Sequence, residues 1–80
     1  MFEMLLADFE SKYPGKAFLT IEETATALDC PKRVVYNWIR RPDLKMRPPI
    51  LQSGKWIRIP VRAFIQWLVA DQYKIAECRP

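Results

Sequence analysis

The spacing of apolar positions changes several times along the chain, and each change marks an element. Phe2, Leu5, Leu6 and Phe9 recur at helical spacing with Glu3, Asp8 and Glu10 on the other side, which predicts a short amphipathic helix. Pro14-Gly15 is a turn signal, and Lys16-Ala17-Phe18-Leu19 reads as a brief extended piece. Thr20-Ile21-Glu22-Glu23 has the form of a capping box, in which the Thr20 hydroxyl accepts from the Glu23 amide while the Glu23 carboxylate reaches back. A helix is therefore expected from Ile21, with Ile21, Ala25 and Leu28 on one stripe beside Ala27, ending at Asp29-Cys30. Pro31 has no amide hydrogen and a preset φ, so it belongs in the first turn of a following helix. That helix, about Pro31 to Arg40, would bury Val35, Trp38 and Ile39 with Val34 flanking, and present Lys32, Arg33, Tyr36, Asn37 and Arg40 on its other face.

Pro42, Pro48 and Pro49 forbid helix in the next stretch, where the pattern changes to strand. Ile50-Leu51 and Lys55-Trp56-Ile57-Arg58-Ile59 predict a β-hairpin around Gln52-Ser53-Gly54. Alternation would turn Ile57 and Ile59 to the core, Trp56 and Arg58 away from it. Pro60 ends the strand and opens a last helix, Val61 to about Tyr73, whose Phe64, Ile65, Trp67 and Leu68 close the core, while Cys78-Arg79-Pro80 should fray. The expected fold is mainly α with a small β-hairpin. Its parts are an N-terminal amphipathic segment (1–16), a helix-turn-helix and hairpin domain (17–73) and a C-terminal tail (74–80). Two short helices joined by about three residues have the shape of a helix-turn-helix, whose second helix enters the major groove of DNA. The N-terminal segment either completes the core or forms a contact between protomers.

Eighty residues and 9.5 kDa correspond to one small domain with one core. Half the residues are hydrophobic and 28% charged, which is too apolar for a disordered tail. No run approaches the ~20 apolar residues of a membrane helix, and the first residues carry an acid where a secretion signal carries bases, so a soluble, cytoplasmic protein is expected. Histidine is absent, which removes the commonest general base and metal ligand. Cys30 and Cys78 are too far apart for a zinc pair and too few for a stapled scaffold. Both are expected to be free thiols, Cys30 as a small buried hydrophobe in the turn. Glu22 and Glu23 are explained by capping and solvent exposure, and no nucleophile has a partner base. No enzyme activity, cofactor or metal is expected.

Charge is unevenly divided. Residues 1–29 carry a net charge of −4 and residues 30–80 a net charge of +8, with nine bases between Lys32 and Arg62 against the single acid Asp43. Such a stretch is either the electrostatic footprint of a polyanion partner or a solubilising surface. On a helix-turn-helix, Lys32 and Arg33 would reach guanine edges, Asn37 would pair with adenine, and Tyr36 would touch a thymine methyl or a phosphate. Arg40 and Arg41 would hold the DNA backbone. The plainer alternatives are packing for Tyr36 and a solvated helix end for Arg41. Gln52, Ser53 and Lys55 at the hairpin tip would lie over the minor groove with Arg58 and Arg62 flanking as phosphate contacts, while Arg47 serves either the wing or the backbone. Trp38 and Trp67 are expected in the core; Trp56 is either a lid on cationic stems or a contact to DNA or another protomer.

Four strings in order, Leu19 to Ala25, Val34 to Arg41, Trp56 to Pro60 and Phe64 to Leu68, resemble the MerR-like winged helix-turn-helix, in particular phage and plasmid excisionases, or recombination directionality factors, including the Cox type. The likeness covers about residues 18 to 69. This chain has Asp29 where that family often has glycine, Pro31 near its usual serine or threonine cap, and a wing segment, Arg47 to Gly54, that is longer and richer in proline than usual. The resemblance implies cooperative binding of adjacent sites on double-stranded DNA, bending, and direction of an integrase toward excision without bond cleavage by the protein itself. It also implies repression of an overlapping phage promoter, inside a bacterial host cell and in association with its nucleoid. The acidic and basic parts suit head-to-tail contact in a homo-oligomer or filament on DNA. Rival readings are a dedicated transcriptional repressor and a protein-interaction module that binds an acidic protein.

Overall fold

Thr20 and Glu23 make the reciprocal bonds that their spacing predicts: the Glu23 amide donates to the Thr20 hydroxyl and the Thr20 amide to the Glu23 carboxylate, each at 3.1 Å. These bonds start helix α2 (Ile21–Leu28) within a computed structural model that describes residues 1–41 and 47–70. Before α2 come α1 (Phe2–Lys12) and β1 (Phe18–Leu19). After it come α3 (Lys32–Ile39), β2 (Leu51–Ser53), β3 (Trp56–Pro60) and α4 (Val61–Val69). Expectations for Pro42, for the last helix between 71 and Tyr73, for the 74–80 tail and for Cys78 lie outside the described residues.

α2 ends at Asp29, which adopts the left-handed conformation (φ 57°, ψ 43°) that helix ends usually assign to glycine. The Asp29 amide donates to the Ala25 and Thr26 carbonyls, and the Cys30 amide to Ala25 at 3.0 Å, so the end of α2 is satisfied by backbone. Pro31 stands one position earlier than expected, as the N-cap of α3 and not in its first turn. Its extended ψ of 138° keeps it outside the helix, while its carbonyl accepts from Val34 at 3.0 Å. The connection is therefore three residues, Asp29 to Pro31.

The β structure is a three-stranded antiparallel sheet in the order β1-β3-β2, not a hairpin alone. β1 pairs Phe18 with Pro60 and Leu19 with Ile59. The turn between β2 and β3 is Gly54-Lys55, with Ser53 opposite Trp56, so Gln52 and Ser53 belong to the strand and not to the turn. Gly54 has φ 59° at the first position of this two-residue turn, a conformation that suits a residue without Cβ.

The core joins Leu5 and Phe9 of α1 to Leu19, Ile21, Leu28, Val35, Trp38, Ile59, Phe64, Ile65 and Leu68. The N-terminal segment thus completes the core. It packs on α4 and α2, and the Lys12 ammonium ties its end to the Thr26 carbonyl at 2.8 Å. Trp38, fully buried, lies 5.5 Å from the Trp67 ring and 6.2 Å from that of Phe64. Half-buried Cys30 packs against the same core from the turn.

Asp29→Gly relieves the left-handed strain and should raise stability by about 0.5–1 kcal/mol in denaturant melts, a gain reduced by glycine's extra unfolded-state entropy. The pKa of Glu23 is lowered from its ordinary 4.5, first by the hydrogen bond from Lys16 at 2.7 Å and then by the Thr20 backbone amide. A lowered folded value stabilises above the unfolded pKa and is lost as pH falls through the folded one. Glu23→Gln should therefore lower the thermal midpoint at neutral pH and flatten its decline on acidification below about pH 4.5.

Candidate nucleic-acid interface

α3 buries Val35, Trp38 and Ile39 and turns Lys32, Arg33, Asn37 and Arg40 to solvent, as its periodicity predicts. Lys32, Tyr36 and Arg40 lie four residues apart and form one row along this face. The Lys32 ammonium is 5.6 Å from the centre of the Tyr36 ring and the Arg40 guanidinium 5.2 Å from it. Tyr36 is half-buried and packs on the core, so its ring is both a structural contact and a platform for two cations.

Arg33 and Asn37, one turn apart, are exposed, and their side chains make no hydrogen bond or ion pair among the described residues. Lys32 differs: its ammonium lies 2.6 Å from a Glu22 carboxylate oxygen of α2. The hydrogen bond from Lys32 to Glu22 raises the lysine pKa above its ordinary value. Glu22 is the residue of this surface that sequence reasoning missed. Ten positions separate it from Lys32, and only the three-residue turn brings the first turns of α2 and α3 together.

At the far end of α3 the Arg47 Nε donates to the Arg41 carbonyl, which places Arg47 against the helix terminus. Arg41 is half-buried and its amide faces the Trp38 carbonyl at 3.5 Å. On the wing, Ser53 and Lys55 are exposed around the turn and the Gln52 side-chain Nε2 donates to the Gly54 carbonyl at 3.4 Å. A groove bordered by Thr20, Glu22, Tyr36, Lys55 and Arg58 joins the start of α2, the open face of α3 and the wing. Trp56 is 68% exposed, and the Arg58 guanidinium lies 4.6 Å over its ring. The lid reading of Trp56 thus has a concrete form. Arg62, exposed on α4, lines a different cleft with Lys16, Phe18 and Tyr13, and does not border the groove.

Among the described residues no group of acids and cysteines could hold a metal ion, and no helix is long and apolar enough to cross a membrane. Two helices across a three-residue turn, the second with a solvent-facing basic side beside a three-stranded wing, define a winged helix-turn-helix protein, a class whose domain implies binding of double-stranded DNA. Residues 18–70 match the helix-turn-helix domain family, and the chain belongs to that family, which includes excisionase-like DNA-binding proteins. No curated protein and no solved structure matches the chain.

The two tryptophan environments make opposite demands on stability. Trp38→Ala should cost about 3–5 kcal/mol, a large share of the stability of a small domain. Trp56→Ala removes an exposed stack and should cost less than about 1 kcal/mol. Urea titration of both variants checks the contrast.

Proposed function

We propose that this protein is a sequence-specific, non-enzymatic DNA-binding protein of the excisionase type. It lays α3 in the major groove and the wing turn over the adjacent minor groove. The observation that carries this reading is the pair Arg33 and Asn37, whose side chains are exposed at i and i+4 on α3 with no partner among the described residues. Arginine pairs with guanine O6 and N7, asparagine with adenine N6 and N7, and four-residue spacing aims both into one groove. Arg40, Arg41 and Arg47 at the end of α3, with Lys55 and Arg58 beside the groove, supply phosphate contacts.

Cooperative binding to adjacent sites, bending of attachment-site DNA, assembly with an integrase and repression of an overlapping promoter complete the proposal. The exposed large apolar residues support self-association on DNA: Met1, the N-cap of the acidic α1, and Met4 lie at one end of the molecule, while Phe18, Leu51 and Trp56 lie together on the outer face of the sheet. These faces differ from one another, so copies joined through them line up in series and do not close into a two-fold dimer.

The affinity for duplex DNA should fall linearly on a log-log plot against salt, and Arg33→Ala and Asn37→Ala should each lose about 1–3 kcal/mol of discrimination at one base position. Fluorescence anisotropy across a salt series measures both; unchanged sequence preference in both variants overturns the assignment of α3. An excision assay with the cognate integrase, with and without this protein, separates the excisionase from a dedicated repressor.

A further inference from the structure

Lys32 and Glu22 lie at the N-terminal end of the open face of α3, the end from which recognition helices reach base edges. Both side chains are largely solvent-exposed, 48% and 72%, and they hold a cationic donor and an anionic acceptor 2.6 Å apart. An exposed pair of this kind contributes little to stability, so it needs no structural role to be tolerated or lost. Its chemistry is nevertheless specific. In the major groove a C·G pair shows the cytosine amino donor beside the guanine O6 acceptor, and because these two groups are hydrogen-bonded to each other they lie about 2.9 Å apart. A carboxylate next to an ammonium is the complement of that edge. A T·A pair presents the reverse order of donor and acceptor.

We propose that Glu22 and Lys32 together read one C·G base pair, Glu22 accepting from the cytosine amino group and Lys32 donating to guanine O6. The inference rests on the DNA-binding reading above and adds to it a specificity-determining residue outside the recognition helix. Away from a C·G pair the two side chains keep each other. The ammonium is then withheld from phosphates, which lowers affinity for unrelated sequences. The Tyr36 ring, 5.6 Å from the ammonium, keeps Lys32 on this face.

The test selects preferred sites for the full chain from a random duplex pool, then measures affinities for every single-base change, in the original protein and in Glu22→Ala. The original should show one C·G position whose replacement by T·A weakens binding about tenfold. Glu22→Ala should lose the preference at that position alone, while positions read by Arg33 and Asn37 stay. Its binding to unrelated duplex should tighten roughly five- to tenfold near 0.1 M salt, with a log-log slope steeper by about 0.9, because Lys32 is released to a phosphate. Glu3→Gln on α1, which removes the same charge elsewhere, should leave the base preference at that position unchanged. Unaltered base preference in Glu22→Ala, with salt-dependent binding intact, overturns this inference and leaves the DNA-binding reading standing. No salt-dependent duplex binding by the original protein overturns both.

Discussion

The burial of Trp38 is the constraint on which the arrangement of the surface depends. Its ring has no exposed area and sits against Phe64 and Trp67, so the side of α3 that carries it can face only the interior. An eight-residue helix has little more than two turns. Fixing one face of it leaves Arg33 and Asn37 no orientation but outward. The short connection through Asp29 then fixes the other degree of freedom, the angle between α3 and α2. Side chains that touch solvent are thus positioned by side chains that never do.

Much of this was legible in the chain, for reasons that differ by element. The start of α2 was readable because a capping box is a contact between residues three apart. The buried faces of α2 and α3 were readable because helical periodicity is regular over those lengths. The pairing of β1 was not, since two residues have no period and their partners lie some forty positions away. The wing turn was displaced because Gly54 needs a positive φ, which sets the register by backbone conformation and not by hydrophobic pattern. Within the site, solvent-facing Arg33 and Asn37 followed directly from the period. The engagement of Lys32 by Glu22 and the placement of Arg62 away from the groove did not, because both depend on how elements meet in space.

The division of charge acquires a spatial meaning from the fold. Most acids of the first part occupy α1 and the start of α2, and most described bases occupy α3, the segment after it and the wing. The two acids of the α2 capping region do different work. Glu23 is held by Thr20 and Lys16 and serves the helix, whereas Glu22 faces the open groove. Adjacent residues of one chemical type are separated by which side of one helical turn they occupy.

The central strand of the wing has a mechanical consequence. β3 pairs on one side with β2 and on the other with β1; Leu19 of β1 directly precedes the Thr20 cap, and Pro60 of β3 directly precedes α4. A further bond from the Val61 amide to the Ala17 carbonyl, 2.9 Å, bolts the two strand ends together. The Gly54 tip is therefore one arm of a lever whose fulcrum is the root of both helices. A load applied there is carried through β3 into the starts of α2 and α4 as torque.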